Sequence, residues 1–341
     1  MDNEISVSQL FKNVEILIDG ARRSAANSIN NIMCNTYYQI GKMIVEEEMK
    51  GEQRARYGAA IIKNLSEYLT EKYGRGFSTT NLKNYRKFYK FYLPVIGQTP
   101  SDQFKLSWSH YLILMLIENP EERNFYEVEA IKLQWSVKTL KREFSSSLYE
   151  RLALSRDKAS IQSLSANGHT IEKPRDILKN PFVLEFLDIP ERESYTESVL
   201  ESAIISRLQK FLLELGKGFL FEARQKRFTI DNQHFYVDLV LYNRLLQCYV
   251  LIDLKTDSLK HQDLGQMQMY VNYYDRHIKR DFEKPTIGIL LCREASKSIV
   301  EMTLPENANI YASEYKLYLP PKDLLQEKLK EWTEEFEIDQ I

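Results

Sequence analysis

The segment Tyr249-Val-Leu-Ile-Asp-Leu-Lys255 closes an otherwise apolar run on a carboxylate and an ammonium two residues apart. An apolar run of this length reads as a strand buried inside a sheet. Charged side chains are rarely placed in such a strand without a partner or a task. A second acid lies on the preceding run, Tyr236-Val-Asp-Leu-Val-Leu-Tyr242, and Asn243-Arg244 lies in the connection. Alternation with period two puts Asp253 and Lys255 on one face of their strand and Ile252 and Leu254 on the other. It likewise groups Asp238 with Tyr236 and Val240. An antiparallel hairpin with Asp238 opposite Asp253 brings two carboxylates together with Lys255 beside them.

Two neighbouring carboxylates repel, and a hard divalent cation such as Mg²⁺ (or Mn²⁺) relieves that repulsion while binding phosphate oxygens. The spacing therefore points to Asp238 and Asp253 as metal ligands. Lys255 would stand near a scissile phosphate, where its charge stabilises the transition state or positions the attacking water. The same residues also read as a buried salt bridge between Lys255 and one of the acids. Three features favour a site: the charges end a strongly apolar strand, the first acid sits on the adjoining strand, and a helix carrying Gln266 follows.

The elements around this pair have a recognisable order. Glu197 to Leu215 is an amphipathic helix stopped by Gly216-Lys-Gly218, and Phe219 to Ile230 is a strand turned by Asp231-Asn232. Phe235 to Tyr242 and Cys248 to Leu254 are strands, Asp263 to Tyr274 a helix, and Thr286 to Cys292 a buried-type strand. A helix from Ser296 and a short strand near Ile310 follow. This is an α-β-β-β-α-β unit over residues 196–341.

Residues 1–155 carry helical periodicity instead, with apolar groups such as Val14/Leu17/Ile18 and Ile61/Ile62/Leu65/Leu69. Gly74 and Gly76 can stop one helix, and Ser78, Thr79 or Thr80 can cap the next, expected from about Thr80 to Tyr92. That helix sets Leu82, Tyr85, Phe88 and Tyr89 against Lys83, Arg86, Lys87 and Lys90. A helix, a glycine turn and a basic second helix outline a helix-turn-helix nucleic-acid reader, although a solvated basic face fits the same pattern. A second basic helix is expected from Lys138 to Arg151. Trp108, Trp135, Tyr111 and Phe125 read as core. Between the two regions, residues 156–195 are rich in small polar residues and punctuated by Pro174, Pro181 and Pro190, the pattern of a connector partly ordered around Phe182 to Leu187.

Composition limits the options. A net charge of −2 over 341 residues means that any polyanion contact needs locally segregated positive charge. Cys34, Cys248 and Cys292 are odd in number and far apart, which argues against a disulfide framework or a structural zinc and for a reducing compartment. The acidic start MDNEISVSQLFKN is unlike a signal peptide, and the apolar run Tyr111 to Ile117 is too short to span a bilayer. A soluble cytoplasmic protein without a membrane partner is the expectation.

Asp238 followed by Ile252-Asp-Leu-Lys255 in an αβββαβ setting resembles the PD-(D/E)xK nuclease superfamily. Longer strings sharpen this: Leu212-Glu-Leu-Gly-Lys-Gly-Phe219, Arg224-Gln225, Tyr236 to Tyr242, Val250 to Lys255, Gly265-Gln-Met267 with Tyr270, and Gly288 to Cys292. They resemble the YhcG-type bacterial proteins, in which a nuclease-like domain follows a helical domain. In the first half, Gly74 to Ser78, Asn81-Leu82, Leu106 to Tyr111, Arg123 to Tyr126, Trp135-Ser-Val137 and Leu148 to Leu152 are similar to that helical partner.

The resemblance implies a helix-turn-helix-like or winged-helix-like DNA-binding domain followed by a restriction-endonuclease-like α/β domain. It implies Asp238 and Asp253 as metal ligands, Lys255 as the catalytic lysine, Glu201 as an auxiliary acid and Gln266 as a site-lining residue, with Gln225 of the same kind. Asp253 stands where many members have Glu, which retracts the carboxylate by about one bond. The implied activity is Mg²⁺-dependent endonucleolytic hydrolysis of DNA by an enzyme that pairs two active sites as a homodimer. Two alternatives stay open on the sequence: a non-catalytic nucleic-acid-binding or assembly protein using the nuclease fold as a scaffold, and an RNA-processing nuclease.

Overall fold

The computed structural model describes residues 2–50, 54–96, 104–156, 158–190, 195–305 and 307–338. The chain forms two compact units, residues 1–141 and 142–341.

The first unit is helical: α1 (Asp2–Lys50), α2 (Arg54–Tyr73), α3 (Thr79–Ile96), α4 (Trp108–Leu114), α5 (Pro120–Lys132) and the start of α6 (Val137–Ser145). Ile44, Ile62, Leu82 and Tyr85 form a core between α1, α2 and α3. Gly41 is what lets α1 lie so close to α3, because a Cβ there would collide with the Tyr85 carbonyl oxygen. Tyr38, Phe88, Phe104, Tyr111 and Phe125 are fully buried, as expected of core aromatics, while Trp108 and Trp135 are half-buried. The turn between α2 and α3 is fastened to α3 itself: Asn81 Nδ2 and the Tyr85 hydroxyl both donate to the Gly76 carbonyl, at 2.8 and 3.1 Å.

Four expectations about this half change. The described residues of the first unit are helical without a strand, so no β-hairpin wing is seen among them. The helix expected to end near Tyr92 runs on to Ile96, with Pro94 inside its last turn. The early apolar positions of α1 face solvent, Leu17 being 72% exposed. The basic helix expected from Lys138 to Arg151 is broken at Ser147, which takes a left-handed conformation (φ 52°), into α6 and α7 (Leu148–Ala153).

The second unit begins with the end of α6 and α7, followed by α8 (Lys158–Asn167). Residues 156–195, expected as a connector, supply β1 (Phe182–Val183), which pairs in parallel with the last strand. Ile177, Leu178, Phe182, Leu184, Phe186 and Leu187 from this stretch are core residues of the second unit. Arg151 belongs here too: it is fully buried, its Nη1 2.5 Å from Glu214 Oε1, which also accepts the Val183 N–H at 3.0 Å. A buried ion pair joining α7, the β1 segment and the helix carrying Glu214 anchors this stretch to the domain.

The remaining elements are α9 (Glu197–Ser206), α10 (Leu208–Leu215), β2 (Phe219–Ile230), β3 (Gln233–Asn243), β4 (Cys248–Leu254), α11 (His261–His277), β5 (Ile287–Cys292), α12 (Lys297–Thr303), β6 (Ile310–Lys316) and α13 (Lys322–Ile338). The single helix expected over 197–215 is split at Arg207, where φ −126° and ψ 32° leave the helical region. The six strands form one sheet in the order β1-β6-β5-β4-β3-β2, antiparallel from β2 to β4 and parallel from β4 to β1. Both faces are covered. Ile252 and Leu254 pack with Leu200, Ile204, Phe211 and Leu215 of α9 and α10, and Leu251 packs with Leu264, Met267 and Tyr270 of α11. Gly288 admits α11 to the sheet, since a Cβ there would stand 2.6 Å from Met267 Cγ. The three cysteines are free and buried. Among the described residues no helix is long and apolar enough to cross a membrane.

Candidate active site

The last registered pair of the β3–β4 ladder is Leu239 opposite Ile252, so the next residues along each strand are Asp238 and Asp253. Beyond that pair, side chains take over from the ladder. Asp238 Oδ2 accepts the Leu254 backbone N–H at 2.8 Å, and Asp238 Oδ1 accepts from Gln225 Nε2 at 2.9 Å. Gln225 has a left-handed backbone (φ 44°) and stands between the registered pairs Arg224↔Leu239 and Lys226↔Val237, three residues past the bulge between Phe221 and Ala223. Strict alternation fails on β3 here: Val237 and Val240 both join the α11-side core, so Tyr236 and Val240 face opposite ways and Asp238 cannot share one face with both.

Gln225 ties the strand to the helix. Its Nε2 also donates to Glu201 Oε2 at 2.6 Å, and Arg224 Nε lies 3.3 Å from Glu201 Oε1. Glu201 is thereby linked to Asp238 through one amide. Across the strand end, Lys255 Nζ is 2.8 Å from Asp253 Oδ2 and 3.5 Å from Glu197 Oε1. Glu197 is one helical turn before Glu201 on α9, and the sequence reading missed it. The signal was present as an i, i+4 pair of acids on the helix leading into the sheet.

Gln266 lies on the same side of the sheet as α11 but touches none of the acids. Its Nε2 donates to the Tyr270 hydroxyl one turn on. Burial first, then the charges of Asp253 and Asp238, push the Tyr270 phenol up, so this hydroxyl faces the carboxylates electrostatically. The predicted residues Asp238, Asp253, Lys255 and Glu201 are thus brought together, while Gln266 bonds only to Tyr270.

The electrostatics are those of an over-acidic pocket. Asp253 is almost fully buried, and burial followed by the Asp238 charge pushes its carboxyl up to about 7, against the pull of Lys255. Glu197 is raised by burial and by Asp238, with Lys255 opposing. Burial pulls Lys255 down, yet Asp253 and Glu197 together hold it above the ordinary lysine value. Apart from the Lys255 ammonium and the Arg224 guanidinium, Asp253 Oδ2 and Glu201 Oε1 have no hydrogen-bond donor although both are buried.

Buried carboxylate oxygens with spare acceptor capacity suit a hard divalent cation, which takes oxygen ligands and keeps several waters. Among the described residues no three His, Cys, Asp or Glu side chains form a preassembled cage.

The predicted helix of the first unit divides differently. Lys83, Lys87 and Lys90 are exposed along α3, with Lys87 Nζ 5.0 Å from the Phe91 ring centre. Arg86 is instead committed within the unit, its Nη1 2.6 Å from Glu48 Oε1 of α1.

Comparison with known proteins matches both units. Residues 13–151 fit the family described as DUF1016 N-terminal domain, and residues 175–330 fit the YhcG PDDEXK nuclease domain. An Escherichia coli (strain K12) protein named "Putative nuclease YhcG" is 38% identical over 350 residues, spanning 94% of this chain and 93% of its own. Among solved structures, a repair endonuclease from Pyrococcus abyssi is 21% identical over 38% of this chain and 50% of its own, with a TM-score of 0.25. A structure titled as an EndoMS complex with double-stranded DNA is 18% identical over 39% of this chain and 50% of its own, with a TM-score of 0.26. The chain belongs to the YhcG family, with a DUF1016 N-terminal domain followed by a PDDEXK nuclease domain.

Proposed function

We propose that the second unit hydrolyses phosphodiester bonds in DNA with a divalent cation, Mg²⁺ or Mn²⁺, held by Asp238 and Asp253. The observation that carries this reading is the convergence of Asp238, Asp253 and Lys255 just past the last registered pair of β3 and β4. When bound, the cation supplies Lewis-acid polarisation of the phosphate. Lys255 contributes a fixed positive charge that stabilises the pentacovalent transition state and orients the attacking water. A water oxygen–phosphorus bond forms as the phosphorus–sugar oxygen bond breaks; the attacking water gives up a proton to solvent and the departing oxygen takes one from it. Glu201 and Gln225 position Asp238 through their shared hydrogen bonds, and Glu197 holds the second side of Lys255.

The first unit, in this reading, delivers the enzyme to DNA through the exposed stripe of Lys83, Lys87 and Lys90, whose charges pair with backbone phosphates. Association into a homodimer would let two such sites cut both strands.

The test is cleavage of supercoiled plasmid, single-stranded DNA and RNA by the full chain in Mg²⁺, Mn²⁺ or EDTA. Nicking or linearisation of DNA with either metal and none in EDTA supports the reading. Metal-independent cleavage, or no cleavage of any substrate, refutes it, and selective cleavage of RNA moves the substrate from DNA to RNA.

A further inference from the structure

The β2–β3 ribbon continues past the candidate site. Beyond Gln225 and Asp238 the strands stay paired through Lys226↔Val237, Arg227↔Tyr236, Phe228↔Phe235, Thr229↔His234 and Ile230↔Gln233. β2 is an edge strand of the sheet. One face of this extension is anchored: Phe228 is buried, stacks on Tyr273 at 4.2 Å and meets Tyr270 edge-on at 5.4 Å, both on α11.

Opposite residues of an antiparallel pair share a face, and faces alternate. With Phe228 and Phe235 turned to α11, the pairs Arg227/Tyr236 and Thr229/His234 turn the other way. All four are exposed, Tyr236 by 45%, and no core residue covers them. Thr229 Oγ1 and His234 Nδ1 are joined at 2.9 Å, which fixes the outer end of this face.

The charge is one-sided. Between Arg224 and Tyr236 the ribbon carries Arg224, Lys226 and Arg227 against a single carboxylate, Asp231, in the tip turn. Arg224 is held by Glu201, while Lys226 and Arg227 form no ion pair with any described residue. A lysine on an edge strand guards against edge-to-edge pairing. That role suits Lys226, which pairs with Val237 on the α11 face, but leaves unexplained Arg227, directly opposite the exposed Tyr236 and two residues beyond the Gln225–Asp238 contact.

We propose that this face of the ribbon is a docking surface for the DNA backbone entering or leaving the Asp238–Asp253–Lys255 site. Arg227 takes one phosphate from this face, with Tyr236 against the adjoining sugar or base. Lys226, whose side chain starts from the other face of the exposed edge strand, takes a neighbouring phosphate around that edge. The inference rests on the phosphodiesterase reading of that site, and its test is arranged to fail separately.

Binding of a labelled DNA duplex of about 20 base pairs is measured with full-length Asp253→Ala protein in EDTA, across a series of salt concentrations. Adding Lys226→Ala and Arg227→Ala is expected to weaken binding about tenfold or more at 0.1 M salt and to flatten the log K against log salt slope by about 1.8, two phosphate contacts at ~0.9 each. Lys226→Arg with Arg227→Lys retains the parental slope, which separates charge from misfolding. Tyr236→Ala weakens binding with the slope unchanged. Parental affinity and slope in the double alanine variant, or no DNA binding by the parent, overturns the proposal. If wild type cleaves DNA and the double alanine variant, made without Asp253→Ala, cleaves with unchanged KM and kcat, the docking proposal fails while the hydrolytic reading stands. If wild type never cleaves but the slope flattens as stated, the docking surface stands and the hydrolytic reading fails.

Discussion

Asp238 Oδ2 accepts the backbone N–H of Leu254 at 2.8 Å, so the first acid of the site is fastened to the residue that follows the second. The two carboxylates therefore arrive as a unit wherever β4 goes. Removing the Asp238 carboxylate leaves that N–H without its acceptor, whereas an amide oxygen keeps the bond and gives up the charge and the acceptor that faces Gln225. Asp238→Ala is expected to be less stable than Asp238→Asn by about 1–3 kcal/mol in urea unfolding. Equal stability of the two variants would show that the bond does not hold the site together.

The crowding of acids around Asp253 predicts a trade between stability and activity. Burial and the Asp238 charge push its carboxyl up from 3.8 to about 7, so folding at neutral pH must either bury a carboxylate they disfavour or take up a proton onto it. The folded state binds the extra proton, and the resulting cost grows as pH rises from about 4 to about 7, then levels off. In EDTA at pH 8, Asp253→Asn should be more stable than wild type by roughly 1–3 kcal/mol, after the Lys255 contact it gives up is subtracted. Added Mg²⁺ or Mn²⁺ should raise the melting temperature of wild type and not of the variant. Thermal melts with and without metal read both effects.

Arg86 and its lysine neighbours separate structure from binding. The Arg86–Glu48 pair is partly buried between α3 and α1, so Arg86→Ala should cost about 1 kcal/mol of stability and leave DNA affinity nearly unchanged. Replacing Lys83, Lys87 and Lys90 together by alanine should leave the melting temperature within a few degrees and flatten the salt dependence of DNA binding by about 2–3. The reverse pattern would place the reading face elsewhere.

His169 makes the second unit acid-sensitive. It is buried, its Nε2–H donates to the Asp176 carbonyl at 2.7 Å, and burial lowers its pKa from 6.5 to about 3. The unfolded chain takes up a proton below 6.5 that the folded chain refuses until about 3, so stability falls as pH drops through that window. Between pH 7 and pH 5 the loss from this residue is about 2 kcal/mol. His169→Gln should flatten the pH dependence of unfolding over that range, and an unchanged slope would assign the acid sensitivity to another group.

The α-β-β-β-α-β order and the approach of the two acids were legible because strands and helices write their periods into local sequence. What escaped was set by contacts between distant residues. Arg151 looked like part of a basic helix, and only Glu214, 63 positions on, makes it a buried ion-pair member. Phe182-Val183 is too short to carry a strand pattern, and its pairing with Tyr315 and Lys316 turns a connector into a sheet edge. The alternation fails around Asp238, beside the left-handed Gln225, and a strict period of two cannot represent that. Glu197 was passed over in favour of Glu201, although both acids lie on one turn-spaced face of α9 and divide the work of contacting Lys255 and Gln225.

The central claim is tested most directly by single-turnover cleavage of supercoiled plasmid in Mn²⁺ by wild type, Asp253→Ala and Lys255→Ala, each checked for native circular dichroism. The account predicts cleavage by wild type and rates lower by about a hundredfold or more in each folded variant, as expected when a ligand or a charge-stabilising group is removed. Cleavage at the wild-type rate by either variant would contradict it.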